Sequence, residues 1–143
     1  MIADYYNTYK GVRRYMEEVP LRAREHGYVR SIYGRIRPLQ GINDRNANIR
    51  KAAEREAINM PIQGTASDIV KIAMLKVDEE FKREQLDARL LMQVHDELLV
   101  EAETSIAERT AEILKREMES AVVLDVPLLV DVGIADNWMD AKP

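Results

Sequence analysis

The chain has 143 residues, 46% of them hydrophobic and 32% charged, with a net charge of −4 and no cysteine. That balance excludes a disordered or fibrous chain, and the missing cysteines exclude disulfides, zinc–thiolate sites and thiol nucleophiles. The length fits a single domain, 1–143, able to bury about 68–70% of the surface its unfolded form exposes.

No uncharged apolar run nears the roughly 18 residues of a membrane span. The polar, Tyr-rich stretch after Met1 is unlike a signal peptide, so a cytoplasmic protein without membrane contact is expected. The charge is divided along the chain. Residues 1–55 hold twelve Lys/Arg against six Asp/Glu, and residues 56–143 hold nine against nineteen. The basic part, with Arg22, Arg24, Arg30, Arg35, Arg37, Arg45, Arg50, Lys51 and Arg55, is either a phosphate-binding surface or a solvated arginine-rich face.

From Ala3 to about Glu25, Tyr5, Tyr9, Val12, Met16 and Val19 recur at three- and four-residue steps and predict an amphipathic helix, with Gly11 and Pro20 as points of interruption. Tyr28–Tyr33 and Arg35–Leu39 predict a short hairpin turning at Gly34. A turn-rich loop over 40–48 should end at Asn46 or Asn48 as an N-cap. One helix is then expected from about Ile49 to Asn59, a break at 60–64 because Pro61 disfavours helical geometry before it, and a second helix from Thr65. Ala66, Ile69, Val70, Ala73, Val77 and Phe81 form the buried stripe of that second helix.

Ala88–His95 alternates with one exception at Leu91, and Leu98–Glu103 reads as its partner, so that Asp96 and Glu97 fall at or beside a tight reversal. Residues 105–122 repeat the helical pattern through Ile106, Thr110, Ile113, Leu114, Met118 and Ala121. Pro127 opens a last expected strand with Leu128, Val130, Val132 and Ile134 on one face. The order predicts an α+β fold with helices packed on an antiparallel sheet. Tyr33, Trp138 and the methionines are expected in the core rather than as stacking platforms.

Two groups of residues carry chemistry. Asp96 and Glu97 are adjacent carboxylates beside a strand end, suited to a hard cation such as Mg²⁺, which needs one or two protein carboxylates when substrate phosphates complete its shell. Strand alternation would put Gln93 and His95 on one face beside them. The plainer alternative is a polar hairpin tip. Arg55, Asn59 and Gln63 recur at four-residue steps, and their side chains can meet phosphate and base edges. The alternative there is a helix pair in which Asn59 and Gln63 cap backbone groups. Neither a glycine-rich phosphate loop nor a histidine-rich metal site occurs in the sequence.

The order of segments decides between these readings. Gly27-Tyr28-Val29, Gly34-Arg35, Ala53-Glu54-Arg55 with Asn59 and Pro61-Ile62-Gln63-Gly64-Thr65-Ala66-Ser67-Asp68, then Gln93-Val94-His95-Asp96-Glu97-Leu98, and finally Val126-Pro127-Leu128 and Val132-Gly133 with Trp138, resemble the last part of family A DNA polymerases. The likeness covers nearly the whole chain.

The resemblance implies the C-terminal part of a polymerase palm, an antiparallel sheet packed against helices and truncated relative to the whole polymerase domain. It implies that Asp96 binds the catalytic Mg²⁺ ions with Glu97 in support, and that His95 contacts the primer end. Asn59 and Gln63 would lie on the primer–template duplex, Arg55 would hold the template strand, and Arg35, Arg37, Arg50 and Lys51 would meet the DNA backbone. The implied reaction is addition of deoxynucleoside triphosphates to a primer 3′-hydroxyl. The family's other catalytic Asp and its triphosphate-gripping helix precede this segment, so the chain alone is expected to be inactive or nearly so, to need upstream polymerase segments as partners, and to self-associate through uncovered apolar surface. Lys10 stands where the family commonly has Pro, and Ile36 interrupts a run that is often three arginines. A noncatalytic duplex-binding module is the alternative.

Overall fold

The computed structural model describes residues 2–141. They divide into two compact units, Met1–Thr65 and Ala66–Pro143, each with its own apolar core. The expected α+β architecture with antiparallel strands is what forms. No described helix is long and apolar enough to cross a membrane.

In the first unit, α1 (Ile2–Thr8) and α2 (Lys10–His26) are separated at Tyr9, whose φ of −105° and ψ of 66° are not helical. The interruption falls there rather than at Gly11 or Pro20. Pro20 lies inside α2, which continues past it to His26 despite the lost intrahelical donor. The apolar stripe divides as well: Tyr5, Tyr9, Val12 and Met16 are exposed, while Val19 and Ala23 join the core. Gly27 closes α2 in the left-handed conformation (φ 79°), its N–H donating to Ala23 O at 2.8 Å, and the chain turns directly into β1 (Tyr28–Arg30).

Strand β1 pairs antiparallel with β2 (Ile36–Pro38) in the register Tyr28↔Pro38, Val29↔Arg37 and Arg30↔Ile36. Val29, Leu39, Ile42, Ala53 and Ala57 complete the small core around Ala23. Gly41 is needed for space as well as for its φ of 86°, because a Cβ there would meet Ile49 Cγ2 at 2.6 Å. Tyr33, expected in the core, is 46% exposed.

Helix α3 (Ala47–Arg83) is continuous for 37 residues with Pro61 inside it, which corrects the expected break at 60–64. Asn46 is the N-cap, its Oδ1 accepting from the Asn48 N–H at 2.9 Å. Three side-chain contacts explain why the helix passes through proline. The Tyr15 hydroxyl donates to Ile58 O at 2.8 Å, one turn before the ring. Thr65 Oγ1 donates to Pro61 O at 2.6 Å and accepts from the Ile32 N–H at 3.1 Å. Side chains thus hold the carbonyls of Ile58 and Pro61 on either side of the ring, and the burial of Ala53 and Ala57 holds the preceding turns against the core. Burial raises the Tyr15 phenol above its ordinary value, which keeps it a donor.

In the second unit, the end of α3 closes with Gln85 in the left-handed region (φ 55°). The Leu86 N–H reaches Phe81 O at 3.0 Å and the Gln85 N–H reaches Lys82 O at 3.2 Å, a Schellman arrangement. Strands β3 (Ala88–Val94) and β4 (Glu97–Ala102) form a hairpin. The register slips between Leu90 and Met92, so Leu91, the one exception in the alternating pattern, is the extra residue of a β-bulge.

A short 3₁₀ turn (Thr104–Ile106) leads into α4 (Ala107–Glu119). Val77 and Phe81 of α3 pack with Ile113 and Leu114 of α4, and Leu90, Leu98 and Val100 of the hairpin cover them. The last expected strand does not form: residues 127–134 run without a ladder partner. The alternation survives in burial as far as Val132, since Leu128, Val130 and Val132 are half-buried while Leu129 is exposed; Ile134, expected on the same face, is exposed. Alternating hydropathy selects a covered face. It does not supply a neighbouring backbone, and here the Val130 N–H goes to Glu119 Oε1 at 3.0 Å instead. Trp138 is 46% exposed, again outside the expected core.

Candidate functional site

The predicted residues fall into two groups, one in each unit. On α3, Lys51, Arg55, Asn59 and Gln63 follow one another at four-residue steps and are all exposed. Their direction is set by what lies behind them. Ala53 and Ala57 are 3% and 0% exposed, and residues two apart on a helix point about 200° apart, so burying the alanines turns Arg55 and Asn59 outward. Because the helix does not break at Pro61, the stripe includes Gln63. Asn59 and Gln63 cap no helix end, and Lys51, Arg55, Asn59 and Gln63 have no side-chain partner among the described residues.

The other basic residues are mostly committed internally. Arg37 Nε donates to Glu56 Oε1 at 3.2 Å, Arg50 donates to Asp44 O at 2.9 Å, and Arg24 pairs with Glu54. Arg30 lies over the Tyr28 ring at 5.0 Å; at Arg35 it is the backbone N–H, not the guanidinium, that donates to Ser31 Oγ at 3.1 Å. Lys51 and Arg55 on the stripe, and Arg45 in the loop before it, are therefore the cations of this group with no internal commitment among the described residues.

In the second unit, His95 and Asp96 are the two central residues of the β3–β4 reversal, bracketed by the Val94↔Glu97 pair. His95 has a φ of 54°, the positive value that primed hairpin turns require at their first central position. That corrects the expected strand end: β3 stops at Val94, so His95 is not a face-sharing partner of Gln93. Gln93 instead reaches forward, its Nε2 donating to His95 O at 2.8 Å. Asp96 and Glu97 are both exposed. Two consecutive carboxylates at a rigid hairpin tip can offer oxygen ligands to a hard cation, but among the described residues no group of three or more His, Cys, Asp or Glu could hold a metal ion. The donors fit a cation whose remaining ligands come from water and a bound phosphate.

The family model for DNA polymerase family A matches residues 1–140. The chain belongs to DNA polymerase family A. It is 49% identical to the DNA polymerase I of Deinococcus radiodurans over 99% of this chain and 14% of that protein. It is 47% identical to that of Bacillus caldotenax (99% and 16%), and 43% identical to the thermostable DNA polymerase I of Thermus thermophilus (99% and 17%). The chain thus spans a small fraction of the length of these relatives. Among solved structures, it superposes with a TM-score of 0.91, at 41% identity, on the POL domain of Pol1 from M. smegmatis in complex with DNA primer-template and dNTP, covering 98% of this chain and 25% of that one. Within this family A segment, sequence reasoning missed Tyr15, Thr65 and the forward reach of Gln93. A threonine four residues after a mid-helix proline was a readable signal for Thr65. The partner of Tyr15 lies 43 residues away and left none.

Proposed function

We propose that this chain is the segment of a DNA-directed DNA polymerase that presents Asp96 as a metal ligand, with Glu97 in support, for template-directed addition of deoxynucleotides to a primer 3′-hydroxyl. The observation that carries the reading is the two-residue His95-Asp96 turn, with its left-handed first residue, in a chain of polymerase family A. A hairpin this short leaves the carboxylate little freedom, and nucleotidyl transfer gains mainly from fixed positions. When bound, divalent cations, Mg²⁺ in this reading, lower the pKa of the attacking hydroxyl and offset charge on the leaving oxygens. The protein's part is to hold the carboxylates and the primer end still, with His95 contacting that end.

On α3, Arg55 would hold the template strand while Asn59 and Gln63 test pair geometry from the minor groove, where acceptors recur at every base pair. Lys51 would add a phosphate contact. Arg37 and Arg50 would do so only by exchanging their present side-chain hydrogen bonds, and Arg35 would do so from a residue whose backbone N–H is held by Ser31. That the M. smegmatis domain was solved with primer-template and dNTP supports these partners.

The deciding experiment is primer extension by the chain alone and by the chain mixed with a polypeptide supplying the rest of the polymerase. The reading expects extension only in the mixture, abolished by Asp96→Ala. Extension that survives Asp96→Ala overturns the role of Asp96. Salt-sensitive, Mg²⁺-indifferent binding to primer–template without any extension would favour the noncatalytic duplex-binding module. The exposed Tyr5, Tyr9, Val12 and Met16 support self-association of the segment, which light scattering across concentrations would register as a rising mass.

A further inference from the structure

The geometry points to Gln93 as a positioning residue that holds the His95–Asp96 peptide and so aims the Asp96 carboxylate; the inference rests on Asp96 being the ligand. Left-handed φ is uncommon for a residue with a side chain, although histidine tolerates it better than most, and such a conformation persists when its surroundings over-determine it. Here one constraint is the Val94↔Glu97 pair that closes the hairpin. The other is the bond from Gln93 Nε2 to His95 O at 2.8 Å.

That carbonyl belongs to the peptide plane joining His95 to Asp96. Fixing its oxygen fixes the rotation of the plane, and with it the direction in which the Asp96 Cα projects its side chain. Only the amide nitrogen of Gln93 can make this contact, because a carbonyl oxygen has no proton to donate. Gln93 is exposed and pairs across the hairpin with Leu98, so its side chain contributes no core contact that would explain the choice of residue. Its reach also spans the turn without touching the carboxylate, which leaves Asp96 open to its ligand.

The requirement is chemical and steric together. Gln93→Met keeps the length and removes the donor, Gln93→Glu keeps the shape and places an acceptor against a carbonyl, and Gln93→Asn keeps the amide but is one methylene short. All three should fail in the same way. On the chain itself, the HN–Hα coupling of His95 and the exchange rate of the Asp96 and Glu97 amides report the turn directly. The latch predicts that each substitution shifts the coupling and speeds exchange at these positions while amides in α4 stay unchanged.

In the polymerase completed by its other segments, each variant should lower kcat about 10-fold, less than the about 100-fold that a 1 Å misplacement can cost. The KM for the deoxynucleotide should stay within a factor of two, roughly, because remote substrate contacts are untouched. The Mg²⁺ concentration giving half-maximal rate should rise as well, which a general loosening of the fold would not single out. Unchanged turn signals, or shifted signals with an unchanged kcat and Mg²⁺ midpoint, would overturn the assignment. Failure of the underlying reading is separate: it would show as activity persisting in Asp96→Ala, whereas failure of the latch shows as Asp96→Ala inactive with Gln93→Met and Gln93→Glu both like the parent.

Discussion

The α3 stripe and the β3–β4 turn present polar side chains in opposite ways. On α3 the backbone is regular, every exposed position is specified by a buried one on the other face, and Arg55, Asn59 and Gln63 inherit their direction from Ala53 and Ala57. At the turn, no periodicity operates. His95 sits at a positive φ, and its conformation depends on one cross-strand pair and one side-chain hydrogen bond. A helix face spreads its tolerance over many residues, while a two-residue turn concentrates its precision in a few. Substitutions should therefore act gradually on the stripe and sharply on the turn.

The largest expected effect comes from removing the support beneath the hairpin. Ile113 is fully buried among Val77, Phe81 and Leu114, and Ile113→Ala should cost about 2–5 kcal/mol in chemical denaturation. If the turn is as dependent on its platform as this comparison holds, amides of residues 94–98 should lose exchange protection in that variant while those of 50–60 keep theirs.

A smaller effect is expected on the stripe. Arg55→Ala should weaken binding to primer–template DNA and lower the slope of log affinity against log salt by about 1, as for the loss of one phosphate contact. An unchanged slope would remove Arg55 from the interface.

Thr65 tests whether the stripe is as robust as a regular helix should be. Thr65→Val removes bonds to Pro61 O and from the Ile32 N–H and should cost about 1–2 kcal/mol, read as a lower denaturant midpoint. A cost near zero would mean that packing alone carries the helix past proline.

The mildest prediction concerns acid. Glu80 bonds Arg83 and Arg116, and these guanidinium groups hold its carboxyl down to about 2; the Arg109 guanidinium likewise holds Glu84 below its ordinary value. A carboxyl whose folded pKa lies below its unfolded one stabilises the fold above the ordinary carboxylate range. That stabilisation is lost as pH falls from about 4.5 toward about 2. Thermal melts of the parent and of Glu80→Gln should therefore converge as the pH is lowered through that window, and the difference at neutral pH should shrink in high salt.

Much of this was readable in advance, for reasons particular residues make clear. Spacing alone located the stripe of Val70, Ala73, Val77 and Phe81, the apolar face of α4 and the reversal at Asp96. The expected break at Pro61 does not occur because the propensity of one residue does not act without its neighbours: Thr65, four residues on, bonds Pro61 O, and Tyr15 supplies a hydrogen bond that local sequence does not show. The expected strand over 127–134 failed for a related reason, since alternation reports which face is covered and not which backbone lies alongside. The exposure of Tyr33 and Trp138 followed neither from hydropathy nor from spacing.

By itself, then, the sequence determined the two hairpins, the covered faces of the second half of α3 and of α4, and the residue types at the turn, because periodicity of burial is a local property written in every few residues. It even marked the bulge, as the break in alternation at Leu91. Only the tertiary structure decided that α3 continues through Pro61, that residues 127–134 find no ladder partner among the described residues, and that Gln93 turns forward onto the His95 carbonyl. Those outcomes depend on where hydrogen-bond partners arrive in space, and a donor 43 residues away, as Tyr15 is from Ile58, leaves no trace in a local pattern.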